Sequence, residues 1–128
     1  MLTRFLVPGG LAAAALLLGL AAVGPAAAHA ALQASEPADG AVLQSPPARL
    51  ALTFTAPVQI TALRLLDAAG TEHPLAREGA RRAPVSAPSA TIPHPLPPGA
   101  YRVEYRGVSP DGHVGGGALG FSVATPAR

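Results

Sequence analysis

The sequence predicts an all-β domain of the sandwich or barrel class, preceded by an N-terminal export signal. Two observations support this fold class. Hydrophobic and polar residues alternate with a period of two along several segments, and proline and glycine interrupt the chain at short intervals. Helical periodicity over a helix-length window is missing after the first 28 residues. Six or seven short strands separated by such turns are typical of a sandwich or barrel.

Residues 1–28 have the features of a signal peptide. Arg4 provides a positive charge, residues 11–23 are an uninterrupted run of apolar or small residues, and residues 26–28 are three alanines typical of a cleavage site. An uncleaved membrane anchor is the alternative. Prolines and glycines interrupt the segment, however, and its apolar core is shorter than the roughly 20 residues of a spanning helix. We therefore expect a periplasmic or secreted protein with no membrane span in residues 29–128.

The position of cleavage decides whether His29 is kept. Cleavage after Ala28 would make His29 the first residue of a mature domain of residues 29–128. The A-x-A pattern of signal cleavage also fits Ala28-His29-Ala30, and cleavage after Ala30 would remove the histidine. The sequence favours neither position strongly, so both remain open.

The composition excludes several kinds of function. The chain has no cysteine, and its one methionine is Met1, so the mature domain has no sulfur ligand, no thiol chemistry and no disulfide. Arg4 is the only charged residue of the signal, so its removal lowers the net charge from +2 to +1. The remaining arginines are scattered and aromatic residues are few, so nucleic-acid binding is not expected.

Four segments of alternating hydrophobicity predict the main strands. They are residues 49–58, 59–67, 100–109 and 117–124. Shorter strand candidates are residues 31–35, 71–76 and 89–94. The segment 77–90, which contains REGARRAPVSAPS, predicts a mobile loop.

Asp111 and His113, in SPDGHVGGG, are the first candidates for functional residues. Residues i and i+2 of extended backbone point to the same face, so a carboxylate and an imidazole would share one space. If His29 is the N-terminal residue, its amine and imidazole form a chelate. Three nitrogens and one carboxylate suit tetragonal Cu(II) better than Cu(I), which prefers sulfur. Zn(II) fits the ligands but prefers a tetrahedral geometry.

The chain as a whole resembles the CopC copper-resistance proteins. The resemblance rests on the opening LQASEPADGAVLQSPPARLALTFTAPV and the close PPGAYRVEYRGVSPDGHVGGGALGFSV, and it covers nearly all of residues 29–124. It implies a seven-stranded immunoglobulin-like or cupredoxin-like Greek-key sandwich or barrel. It also implies an exported carrier that holds one Cu(II) through His29, Asp111 and His113. In that fold the N-terminal strand lies beside the D-x-H loop.

The resemblance further implies a non-enzymatic protein that buffers copper or delivers it to a partner, such as an inner-membrane copper transporter. We expect a monomer. Three features depart from the family pattern. Ala56 stands where a Glu near the copper is usual, Tyr105 and Gly107 replace Trp and Val before a loop that gains Pro110, and a methionine-rich Cu(I) loop is absent.

Two other functions remain as alternatives. An N-terminal histidine chelate also occurs in copper-dependent enzymes that cleave polysaccharides by oxidation, although this chain lacks an aromatic platform for sugar. If the mature chain begins at Ala31, Asp111 and His113 would be residues of a simple turn in an immunoglobulin-like adhesion or envelope module. His73 and His94 are expected on the surface, with any role in a second site left open.

Overall fold

The structure is a computed structural model that describes residues 30–126 as a sandwich of two β-sheets. The strands are β1 (Leu32–Glu36), β2 (Ala41–Leu43), β3 (Arg49–Phe54), β4 (Gln59–Asp67), β5 (Glu72–His73), β6 (Ala76–Arg77), β7 (Ser89–Thr91), β8 (Gly99–Val108) and β9 (Val114–Val123). One sheet has the order β1-β3-β7-β6 and the other β2-β9-β8-β4-β5. Neighbouring strands are antiparallel, except that β2 is parallel to β9. The predicted all-β sandwich class is confirmed.

The hydrophobic core lies between the two sheets and follows the predicted alternation. In β3, Leu50, Leu52 and Phe54 are buried, whereas Arg49 and Thr53, on the opposite face, are exposed. The same alternation places large side chains of β8 and β9 in the core. In β4 a register shift after Ile60 interrupts the alternation, and the adjacent residues Leu65 and Leu66 are both buried. Burial of one such side chain contributes about 1.5–3 kcal/mol, so this core is the main source of stability in a domain without disulfides.

The number of strands differs slightly from the expected seven. Seven strands have three or more residues, and the two-residue strands β5 and β6 raise the number in residues 30–126 to nine. The predicted strand 71–76 is divided because Pro74 has no backbone N–H to donate to a ladder. As a result β5 pairs with β4 in one sheet, and β6 pairs with β7 in the other.

The segment 77–90 is held more firmly than its composition predicts. Val58 and Val85 exchange two backbone hydrogen bonds, with N–O distances of 2.9 and 3.0 Å. The backbone N–H of Phe54 also donates to the carbonyl of Ser86 at 2.7 Å. The prediction of a mobile loop is therefore wrong for the second half of this segment, since prolines and small residues hid its backbone pairing.

Within residues 30–126, no helix has the length and apolar character needed to cross a membrane.

Asp67 organises the turn between β4 and β5. Its Oδ1 accepts hydrogen bonds from the backbone N–H groups of Ala69 and Thr71, at 2.9 and 3.0 Å. Its Oδ2 lies 3.0 Å from Nε2 of His73, whose ring packs edge-on against Tyr101. The bond to His73, followed by the bond to Thr71, holds the pKa of Asp67 below its ordinary value.

We expect the substitution Asp67→Asn to lower the melting temperature at neutral pH and to have a smaller effect in acid. A lowered folded-state pKa means that ionised Asp67 stabilises the fold above the unfolded-state pKa of about 3.9. This contribution is lost as the pH falls through the folded-state value. Thermal unfolding of wild type and variant at about pH 7 and about pH 3 measures the difference. Glu36→Gln, at an exposed position, is the control, and an Asp67→Asn effect of equal size at both pH values contradicts the prediction.

Candidate metal centre

The D-x-H sequence forms the end of the β8–β9 hairpin. The two strands pair without interruption up to Val108 and Val114, which leaves the five residues 109–113 as the connecting loop. The backbone N–H of Ser109 donates to the carbonyl of His113 at 3.0 Å, and the N–H of Gly112 donates to the carbonyl of Ser109 at 2.9 Å. Gly112 has a φ of 86°, which glycine adopts without strain. The predicted turn is thus a five-residue loop that these two backbone hydrogen bonds close.

Asp111 and His113 face one another in this loop. Oδ2 of Asp111 lies 2.7 Å from Nδ1 of His113, and Oδ1 accepts hydrogen bonds from the Ser109 hydroxyl and from the His113 backbone N–H. The Asp111 side chain is 19% exposed and that of His113 is 70% exposed. The Ser109 hydroxyl, followed by the two His113 groups, holds the pKa of Asp111 well below its usual range. The loop therefore presents an ionised carboxylate beside an accessible imidazole.

Hydrogen bonds between Ala31 and Thr55 fix the start of the described chain beside β3. The N–H of Ala31 donates to Oγ1 of Thr55 at 2.9 Å, and the N–H of Thr55 donates to the Ala31 carbonyl at 2.9 Å. Leu32 then pairs with Phe54 as β1 begins. Ala30, the residue before these contacts, is half-buried. The position of this end is therefore set by the sheet.

A pocket of about 420 Å³ lies between the N-terminal segment and the hairpin loop. Its lining includes Ala30, Ala31 and Leu32 on one side and Ser109, His113 and Val114 on the other. The expected proximity of the N-terminal strand to the D-x-H loop is therefore present in the fold. His29 itself lies outside the described residues. Within residues 30–126, no three histidine, aspartate or glutamate side chains form a group that would hold a metal ion.

Tyr105 contributes to the same pocket and explains the glycines opposite it. Its ring packs edge-on against Phe54, with centroids 5.5 Å apart, and burial raises the pKa of its phenol. Tyr105 pairs with Gly117 across the sheet, and a Cβ at Gly117 would lie 2.6 Å from the Tyr105 hydroxyl oxygen. A Cβ at Gly116 would lie 2.5 Å from the Tyr105 carbonyl oxygen. A side chain at Gly116 would therefore clash with the backbone, and one at Gly117 would require the Tyr105 ring to move.

The remaining candidates lie apart from this pocket. His73 is paired with Asp67 at the β4–β5 turn, and His94 is exposed in a bend, so neither lines the pocket. Ala56 is half-buried and directly follows Thr55, but it is not a lining residue either.

Two residues that organise the site were missed by the sequence analysis. Ser109 bonds to the Asp111 carboxylate, and Thr55 bonds to Ala31. Serine is favoured at the first position of a turn such as SPDG, which is the signal that points to Ser109. No sequence pattern indicates the partner of Thr55, because 24 residues separate it from Ala31.

Comparisons with known proteins agree with this architecture. Residues 32–124 match the CopC domain family model. The crystal structure of CopC from Methylosinus trichosporium OB3b is similar, with 25% identity and a TM-score of 0.67, covering 78% of this chain and 97% of that one. PcoC, a methionine-rich copper resistance protein from Escherichia coli, shares 27% identity with a TM-score of 0.58, covering 75% of this chain and 99% of that one. No curated protein sequence matches the chain.

The two-sheet sandwich and the family match define a copper-resistance protein of the non-enzymatic, copper-binding class. The chain belongs to the CopC family, since the family model spans most of its length. Proteins of the CopC and PcoC family are periplasmic.

Proposed function

We propose that this chain is exported and binds one Cu(II) ion through His29, Asp111 and His113. The observation that supports this best is that Ala30, the residue after His29, lines the same pocket as His113. If His29 is the N-terminal residue, its amine and imidazole would therefore belong to the residue next to Ala30 of the pocket lining. We propose residues 1–28 as the signal peptide and residues 29–128 as the copper-binding domain.

The spacing of Asp111 and His113 fits two ligands of a single ion. Two adjacent ligand atoms at about 2.0–2.1 Å from a metal, at right angles, are about 2.9 Å apart. Oδ2 of Asp111 and Nδ1 of His113 are 2.7 Å apart. The lowered pKa of Asp111 keeps the carboxylate in the form that binds metal. In the proposed site the ion takes the place of the proton that these two atoms share in their hydrogen bond.

The ligand set favours Cu(II) over Cu(I). Cu(I) prefers cysteine and methionine sulfur, whereas imidazole, amine and carboxylate groups suit Cu(II). This chain has no cysteine, and its one methionine is Met1, within the proposed signal peptide. PcoC, in contrast, is described as methionine rich. We therefore infer a Cu(II) carrier that operates without a sulfur site.

The biological role that fits this site is to buffer copper in the periplasm, or outside the cell, or to deliver it. The partner in delivery is inferred from the family resemblance to be an inner-membrane copper transporter. We expect the carrier to act as a monomer.

Intact mass spectrometry of the exported protein tests the proposal directly. We expect the mass of a chain that begins at His29, and we expect the mass of one tightly held copper to be added when one equivalent of Cu(II) is supplied. The chelate requires the free amine of His29, so both results are needed. A mass that begins at Ala31, or a chain beginning at His29 that retains no copper, would refute the proposed site.

A further inference from the structure

A second pocket, of about 310 Å³, lies where the chain crosses from one sheet to the other. Residues of β4, β5, β6 and the segment after β6 line it, and none of them lines the pocket beside His113. Its charged lining residues are Arg64, Glu72, Arg77 and Arg81. Three guanidinium groups and one carboxylate therefore surround this space.

Arg77 is the least well compensated of these groups. Its Nη2 donates to the carbonyl of Ile60 at 3.3 Å, but its Nε is buried and has no acceptor in residues 30–126. Burial, followed by repulsion from Arg81, lowers the pKa of Arg77. A buried donor without an acceptor is destabilising, and so is a half-buried cation without a counterion.

The neighbouring charges do not supply this counterion. Glu72 contacts Nε of Arg64 at 3.3 Å, and Arg64 also contacts Glu104 at 3.5 Å. Arg81 is exposed and makes no ion pair within the described part of the chain. The pocket therefore retains an excess of positive charge after its one carboxylate has been paired.

A purely structural role explains only part of this arrangement. β4 pairs with β8 along its whole length, but on its other side only Leu65 and Leu66 pair with β5. The bond from Arg77 to Ile60 covers part of this open edge. It leaves the Nε donor unexplained, and it does not account for Arg81 at the same pocket.

We propose that this pocket binds an oxyanion, either a carboxylate or a phosphate, through Arg77 and Arg81 with Arg64 at the rim. Guanidinium groups bind both kinds of anion through paired, charge-assisted hydrogen bonds. An oxyanion supplies the negative charge that Arg77 and Arg81 lack. This site is independent of the proposed copper site, because the two pockets share no residue.

NMR of the arginine side chains, with the protein labelled and free of copper, tests this proposal. Inorganic phosphate and succinate are titrated separately at constant pH and ionic strength, and the Nε–Hε signals are followed. We expect saturable shifts at Arg77 and Arg81, with a Kd on the order of millimolar. Saturation by phosphate alone identifies a phosphate site, and saturation by succinate identifies a carboxylate site.

Two adjacent arginines provide a matched pair of variants. Arg81→Gln is expected to weaken binding about tenfold, since it removes one charge-assisted partner. Arg82→Gln, next to it and also exposed but not lining the pocket, is expected to leave the Kd unchanged. Both side chains are exposed, so the fold is retained. Equal responses of the two variants, or small unsaturable shifts at all arginines with both anions, would overturn the proposal.

Discussion

The substitution His113→Ala is expected to lower the affinity for Cu(II) by about a thousandfold or more, which corresponds to about 4 kcal/mol of binding free energy. The variant loses the imidazole ligand, and with it the group that holds Oδ2 of Asp111 in place. The loop itself is retained, because its closing hydrogen bonds use the backbone of position 113. Competition for Cu(II) with a chromophoric chelator measures the change.

The control for this prediction is His94→Ala. His94 is also an exposed histidine, but it lies in a bend that does not contribute to the pocket. We expect the Kd of this variant to equal that of the wild type, and we expect both variants to keep their melting temperatures. A His113→Ala variant that competes for copper as well as the wild type does would exclude His113 as a ligand.

Acetylation of the His29 amine is expected to weaken Cu(II) binding on the order of a hundredfold to a thousandfold. The acetylated protein keeps the imidazole but has no basic amine, so the six-membered chelate ring with Nδ1 is lost. The contacts of Ala31 with Thr55 do not involve the acetyl group. Chelator competition and the visible spectrum of the bound Cu(II) both report the loss of a nitrogen ligand.

Amidation of the Arg128 carboxylate is the matched control, since it removes one terminal charge at the other end of the chain. Its affinity for Cu(II) is expected to be unchanged. Equal affinities in the two capped proteins would show that the amine is not a ligand. Whether His113 is a ligand would still be tested separately by the His113→Ala variant.

The alternation of hydrophobic and polar residues predicted the long strands well, because each of these strands buries one face in the core. The strand predicted at residues 59–67 has the same bounds as β4. β2 was missed, since three residues are too few to show a period, and its pairing with β9 is set by the fold. The first three residues of β9, from Val114 to Gly116, were missed because two of them are glycines, which have no side chains to alternate.

The candidate site was only partly predictable for a similar reason. Asp111 and His113 are neighbours in sequence, so their shared turn could be inferred from SPDGH alone. Their proximity to the N-terminal segment depends on pairing between β1 and β3, which brings together residues about twenty positions apart. From the residues alone this contact could not be derived, and only the family resemblance implied it.

The hydrogen bonds between Ala31 and Thr55 have a kinetic consequence for the proposed carrier. They fix Ala31, two residues after His29, beside β3 before any ion binds. The conformational entropy of this strand is therefore not lost on binding, and no strand would have to separate. Because His113 is also largely exposed, the ion would enter and leave without opening the core. The rate of copper exchange would then be limited by dissociation of the ligands from the ion rather than by unfolding. Such exchange suits a carrier that must release its ion.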